Sequence, residues 1–229
     1  MQYSKLYNIY FFCIVLLYMK NKNDKYGIIC LDLDETLFHT KNRHIYFRPK
    51  LINFLKYLNK YFYLVVYTAA TKEYADSILS KIQWTEKKIQ KNAKDLFVLK
   101  LYRSSVTPNG KDLRIVLKRL LNNRLKNLNT IPKSLLVQKV KNKNILNLDN
   151  IILIDNLVHN FLDNQFFNGI PIKDFIKNKN DNNLLIIQDF LKNYLRQYKK
   201  KNLSLKTYLF NNLYKINDSL KIEYHKPQC

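Results

Sequence analysis

Two carboxylates, Asp32 and Asp34, follow directly on an apolar run, Tyr26-Gly27-Ile28-Ile29-Cys30-Leu31, within the segment Leu31-Asp32-Leu33-Asp34-Glu35-Thr36. Once a strand ends, the loop beyond it can bring both acids towards one centre. One carboxylate can then attack an electrophile such as phosphorus, and the other can protonate the leaving oxygen and later deprotonate the attacking water. A carboxylate approaching a phosphate dianion meets strong repulsion, so the reading requires cations nearby. Three further positions in the chain supply matching chemistry: the hydroxyl of Thr68, the amine of Lys111, and the acid-amide pair Asp155-Asn156. Mg2+ suits an oxygen-only donor set of this type. Asp32, the backbone carbonyl of Asp34 and the amide oxygen of Asn156 are the expected ligands, with Asp155 orienting them. Lys111 is expected to screen charge between phosphate and nucleophile, and Thr68 with nearby backbone N–H groups to bind phosphate oxygens.

These residues have to be placed by elements that converge. Tyr26 to Leu31 reads as a strand buried on both faces and delivering charge at its C-terminal end. Pro49 opens a helix with Leu51, Ile52, Leu55 and Leu58 on one face, and Phe62 to Tyr67 forms a second buried strand ending at Thr68. Thr71 is a cap for a helix through Tyr74, Ile78 and Ile82. Leu96 to Tyr102 is a third strand. A helix starting at Lys111 carries Leu113, Val116, Leu117 and Leu120. Ile151 to Ile154 is a fourth strand, Gly169 to Ile172 a short fifth, and Leu184 to Tyr198 a closing helix. Strands alternating with helices predict an α/β fold with a doubly wound parallel sheet, whose ligand crevice lies beyond the carboxyl ends of the strands. Asp32, Thr68 and Asp155 each fall at such an end.

The segment DLDET resembles the first motif of haloacid-dehalogenase-superfamily phosphatases, in particular the branch acting on the RNA polymerase II C-terminal domain and its NLI-interacting-factor-like small phosphatases. Arg48-Pro49, Tyr67-Thr68-Ala69-Ala70 with Tyr74-Ala75-Asp76, Leu101-Tyr102-Arg103 with Gly110-Lys111-Asp112-Leu113, Ile154-Asp155-Asn156, and Asn168-Gly169-Ile170-Pro171-Ile172 resemble the family's later motifs in order. The resemblance spans roughly Tyr26 to Tyr198. It implies Asp32 as nucleophile, Asp34 as general acid and base, Thr68 and Lys111 as catalytic partners, Mg2+ as cofactor, and Thr36, Arg103 and Tyr74 on the substrate side. The family's usual Ser-Pro after the fourth motif is replaced by Leu157-Val158. The Phe38 to Arg48 stretch leaves no room for the family's substrate-side strand insert. Asp32 to Thr68 holds only one helix and one strand, and Thr68 to Lys111 a helix, a strand and a loop. The fold is therefore expected to be capless, with an open site suited to a phosphorylated protein segment carrying phospho-Ser or phospho-Thr. The competing reading is a catalytically idle binding module on the same fold, like the receptor subunit of the mitochondrial inner-membrane translocase. The intact Asp32, Asp34, Thr36, Lys111 and Asn156 set argues against it. Arg48 reads as a structural cap and ion-pair partner beside Pro49, with a catalytic role as the alternative, and Arg103 equally as phosphate contact or solvated charge.

The chain of 229 residues has 47% hydrophobic residues and a net charge of +23. That is enough for one sizeable α/β domain, with little left for a second. The charge would suit nucleic acid, an anionic membrane or an acidic substrate. However, Lys is spread along the chain rather than clustered, which favours compositional drift with nucleic acid an unlikely partner. Cys13, Cys30 and Cys229 form neither a disulfide framework nor a metal spacing, and His39, His44, His159 and His225 show no ligand spacing. Residues 1–25 contain an uncharged apolar run, Ile9 to Met19, that fits a signal-peptide core, a short membrane anchor, or sequence upstream of a start at Met19. The expected location is the nucleus for a soluble chain, and the endoplasmic reticulum membrane or mitochondrion if the run is retained. The phosphatase-like domain is expected over residues 26–198. It carries a low-complexity insertion at about 119–144 and is followed by a basic tail, 199–229, expected to be a basic surface helix, with stacking on single-stranded RNA as the alternative. A monomer is expected.

Overall fold

The computed structural model describes residues 25–86, 89–126 and 146–222. Its centre is a five-stranded sheet of β1 (Ile28–Leu31), β4 (Tyr63–Tyr67), β7 (Phe97–Leu101), β8 (Ile151–Asp155) and β9 (Gly169–Pro171), in the order β7-β4-β1-β8-β9. Every pairing is parallel. The α/β, doubly wound architecture expected from the alternation of strands and helices is thus the one found. The chain winds outward from β1 to β4 and β7, then returns to the other side of β1 for β8 and β9. Strand order reverses at β1, the position where open α/β sheets form their crevice.

The pleat divides the core in two. Ile29, Leu31, Leu64, Val66, Ile152 and Ile154 face one layer, while Ile28, Cys30, Val65, Tyr67, Ile151 and Leu153 face the other. The first layer is covered by α1 (Leu51–Tyr61), α2 (Lys72–Lys81), α4 (Asn183–Lys201) and α5 (Leu205–Ser219). The second is covered by Leu113, Val116 and Leu120 of α3 (Leu113–Lys126). Both faces of the central strands are fully buried, which is why they read as unbroken apolar runs. Thr71 caps α2 by accepting a hydrogen bond from the Tyr74 N–H at 3.4 Å.

Four expectations need correction. Phe38 to Arg48 does hold a strand pair, the antiparallel hairpin of β2 (Phe38–Lys41) and β3 (His44–Phe47). It fits because the turn needs only Asn42 and Arg43, both at positive φ (52° and 66°), as a two-residue hairpin turn demands. A second hairpin, β5 (Gln83–Glu86) with β6 (Ile89–Asn92), adds to the stretch between Thr68 and Lys111. Both are hairpins of two four-residue strands, and among the described residues no larger unit is inserted at either place. Helix α3 runs through Arg119 to Lys126, so the first residues assigned to the insertion extend a core-covering helix, while 127–145 lie outside the described residues.

The fourth correction concerns the tail. Helix α4 continues to Lys201, and α5 buries Leu205, Tyr208, Leu209, Leu213 and Ile216 against the main core. Residues 199–222 are therefore part of the domain, not a surface helix beside it. The apolar run 9–19, Cys13, Met19, His225 and Cys229 lie outside the described residues. No helix among the described residues is long and apolar enough to cross a membrane.

Candidate active site

Asp32 is the first residue after β1 and is hydrogen-bonded through its backbone N–H to Ile154 O of β8 at 3.0 Å. Its carboxylate is thereby fixed between the ends of two neighbouring strands. Lys111 Nζ donates to Asp32 Oδ1 and to Asp155 Oδ2, both at 2.5 Å, and all three side chains are almost fully buried. The backbone that aims Lys111 depends on Gly110, at φ +117°. A Cβ there would lie 2.8 Å from Asn160 O, the same carbonyl that accepts the Lys111 N–H at 2.9 Å. Only glycine tolerates both the conformation and the approach.

Burial pushes the Asp32 carboxyl up to about 7; the Lys111 cation pulls it down and the Asp155 charge pushes it up again. For Lys111, burial acts to lower the amine, but the two carboxylates outweigh it and hold it above its ordinary value. The two acids thus favour the charged ammonium, which they share.

Asp155 is oriented by its other contacts. Its Oδ1 accepts from Leu157 N at 2.9 Å, and Asn160 Nδ2 donates to both carboxylate oxygens at 3.0 and 3.1 Å. Thr36 ties the loop back to the strand ends. Its Oγ1 lies 3.2 Å from Asp32 Oδ2 and 3.0 Å from Asn156 Oδ1, and it accepts from Asn156 N at 3.2 Å. The turn is sharpened by Glu35 at φ 56°, whose N–H donates to Phe38 O at 2.7 Å.

Asp34 stands apart from this buried group and is half-buried. Tyr74 OH donates to Asp34 Oδ1 at 2.7 Å and lies 3.1 Å from Thr40 Oγ1. Burial and the Asp34 charge keep the phenol protonated, up to about 12, although the Thr40 contact opposes them, so Tyr74 is the donor. Thr68 is buried beyond β4 and its Oγ1 accepts from Ala70 N at 3.1 Å. Arg103 lies exposed after β7, its Nε donating to Ala69 O at 2.8 Å. Asp32, Thr36, Lys111, Asp155 and Asn156 therefore form one bonded cluster, and Asp34 with Tyr74 forms a separate hydrogen-bonded pair. Thr68 and Arg103 follow neighbouring strands without a hydrogen bond to that cluster.

The donor set fits a hard divalent cation. Asp32 and Asn156 present a carboxylate and an amide oxygen to the same Thr36 hydroxyl, and a second buried acid, Asp155, shares the one ammonium with Asp32. No group of three or more His, Cys, Asp or Glu side chains that could hold a metal occurs among the described residues, so a site here would also draw on other oxygen donors, such as an amide or a backbone carbonyl.

Several residues went unnoticed in the sequence. Asn160 supports both Asp155 and Lys111, yet it is one Asn among many. Asp174 accepts from Asn156 Nδ2 at 2.8 Å, and Asp181 forms a buried ion pair with Arg48 at 2.8 Å; both sit in a loop without periodicity. Gln165 takes the N–H of Leu113 at 2.8 Å and donates to Asp112 at 2.7 Å, holding the start of α3.

A doubly wound parallel sheet with an Asp-Lys-Asp cluster at its switch point agrees with the haloacid-dehalogenase-like fold that the sequence resembles. Residues 27–203 match the model of NLI interacting factor-like phosphatases, and the chain belongs to that family. Two solved structures are similar at low identity. One is the fission yeast RNA polymerase II CTD phosphatase Fcp1, a variant bound to beryllium fluoride: 15% identity, TM-score 0.42, covering 95% of this chain and 62% of that one. The other is Fcp1, described as an essential RNA polymerase II CTD phosphatase: 17% identity, TM-score 0.43, covering 94% of this chain and 58% of that one. This chain thus spans about three fifths of either. A search of curated proteins found no match.

Proposed function

We propose that this chain is a Mg2+-dependent phosphoprotein phosphatase acting on phospho-Ser or phospho-Thr through an aspartyl-phosphate on Asp32. The observation that supports it most directly is Lys111 bridging Asp32 and Asp155 at 2.5 Å in a buried site. A bare acid pair would not need so costly an ion pair. A nucleophile that must meet a dianion does.

In the first half-reaction an Asp32 carboxylate oxygen forms a bond to phosphorus as the bond to the substrate oxygen breaks, and Asp34 gives that oxygen its proton. In the second, Asp34 takes a proton from water as the water oxygen bonds to phosphorus and the aspartyl oxygen departs, releasing inorganic phosphate. Tyr74 holds the Asp34 carboxyl at the mouth throughout. Asp32, the Asp34 carbonyl and Asn156 would hold Mg2+, which supplies charge neutralisation to the phosphoryl oxygens. The capless mouth admits a flexible peptide, and the phosphorylated C-terminal domain of RNA polymerase II is one candidate of this class.

The test is hydrolysis of p-nitrophenyl phosphate and a phosphoserine peptide by the full chain. Turnover is expected with Mg2+, lost in EDTA and abolished in Asp32→Asn. Equal, EDTA-insensitive rates for both proteins would leave the idle binding module as the better reading.

A further inference from the structure

We infer that Asp174 is a positioning residue that fixes which end of the Asn156 amide faces the metal; this rests on the Mg2+ reading above. An amide is a metal ligand only through its oxygen, and its two ends are nearly equal in shape. In this site the two ends have different partners. Asn156 Nδ2 donates to Asp174 Oδ1 at 2.8 Å, and Asn156 Oδ1 faces Thr36 Oγ1 at 3.0 Å, beside Asp32 Oδ2. The opposite orientation would set the amide oxygen against a carboxylate and leave the NH2 group on the metal side. A charged acceptor decides the matter because an amide N–H bonds to it more strongly than to water.

The residues flanking Asp174 are held so that the carboxylate stays in place. Arg48 donates to Lys173 O at 2.8 Å on one side, and Phe175 N donates to Glu35 O at 2.7 Å on the other. Arg48 is itself buried, paired through two nitrogens with Asp181 at 2.8 and 2.9 Å, and donates to Thr36 O at 2.9 Å. One guanidinium therefore ties the segment carrying Asp174 to the same loop that carries Asp32, Asp34 and Thr36. Arg48 was expected to be structural, and this is the structure it maintains. Outer partners of metal ligands commonly change metal affinity by about 10–100-fold.

The experiment measures Mn2+ binding to the full chain by electron paramagnetic resonance, without substrate. Asp174→Ala is expected to weaken binding about 10-fold, and Asp174→Asn, which still offers Asn156 Nδ2 an acceptor oxygen, to restore most of it. The deciding background is Asn156→Asp, where either end of the side chain is an oxygen and orientation no longer matters. There Asp174→Ala should leave Mn2+ affinity unchanged or tighten it, because it removes a like charge. The same loss in both backgrounds, or no loss in Asp174→Ala, overturns the positioning role. A wild-type chain that binds no Mn2+ overturns the metal reading itself, and this role with it.

Discussion

At the scale of residues, the site is built against stability. Two carboxylates and one ammonium are buried together, and burial favours the neutral form of Asp32, pushing it up to about 7. A native carboxyl that binds its proton more tightly than in the unfolded chain makes the fold less stable as pH rises from about 4 to about 7. In EDTA, Asp32→Asn leaves one carboxylate against one ammonium. It is expected to raise Tm at pH 8 while abolishing turnover. The gain should shrink as pH falls towards 5, where the wild-type carboxyl is protonated. Lys111→Met is the opposite case. It strands Asp32 and Asp155 without their cation, and breaking a buried pair in this way costs about 3–5 kcal/mol. Chemical denaturation of both variants at pH 8 and pH 5 checks the signs. A destabilised Asp32→Asn at pH 8 would mean that the pair, not the excess charge, governs the site.

At the scale of elements, legibility followed burial. Strands β1, β4 and β8 are legible because both faces of each are covered, so each is an apolar run that gives way to a polar residue, Asp32, Thr68 or Asp155. Asp32, Thr68 and Asp155 were visible for the same reason. Asn160 and Asp174 were not, because a loop residue acting through one hydrogen bond leaves no spacing behind it. The β2–β3 hairpin was missed because its turn uses Asn42-Arg43 rather than a glycine pair. Helix α5 reads as a tail because Lys and Asn dilute its apolar row, although Leu205, Leu209 and Ile216 recur at helical intervals. Its packing makes a sharp contrast testable. Leu209→Ala removes a fully buried side chain and is expected to cost about 2–5 kcal/mol, whereas Tyr214→Ala, 83% exposed, should stay within about 0.5 kcal/mol. Urea denaturation of the two variants measures it. Equal, small effects would return residues 205–219 to the status of an appendage.

At the scale of the molecule, the chain carries a net charge of +23, and the substrate proposed for it is anionic. Even if the lysines accumulated by drift, their summed field acts on whatever diffuses towards the sheet's carboxyl edge. Such a field raises the encounter rate with an oppositely charged ligand and is screened over about 8–10 Å at physiological salt. The chemistry proposed for Asp32 would be shielded from that screening, because Lys111 lies buried within hydrogen-bond distance of it. Salt should therefore separate encounter from chemistry. Raising ionic strength from about 0.05 to 0.5 M is expected to lower kcat/KM for a multiply phosphorylated peptide by about tenfold or more, at little change in kcat. The smaller and less charged p-nitrophenyl phosphate should lose much less. Stopped assays on both substrates across that series give the comparison. A parallel fall in kcat would place the salt effect inside the site, and equal slopes for the two substrates would show that the surface charge does not select for phosphorylated segments.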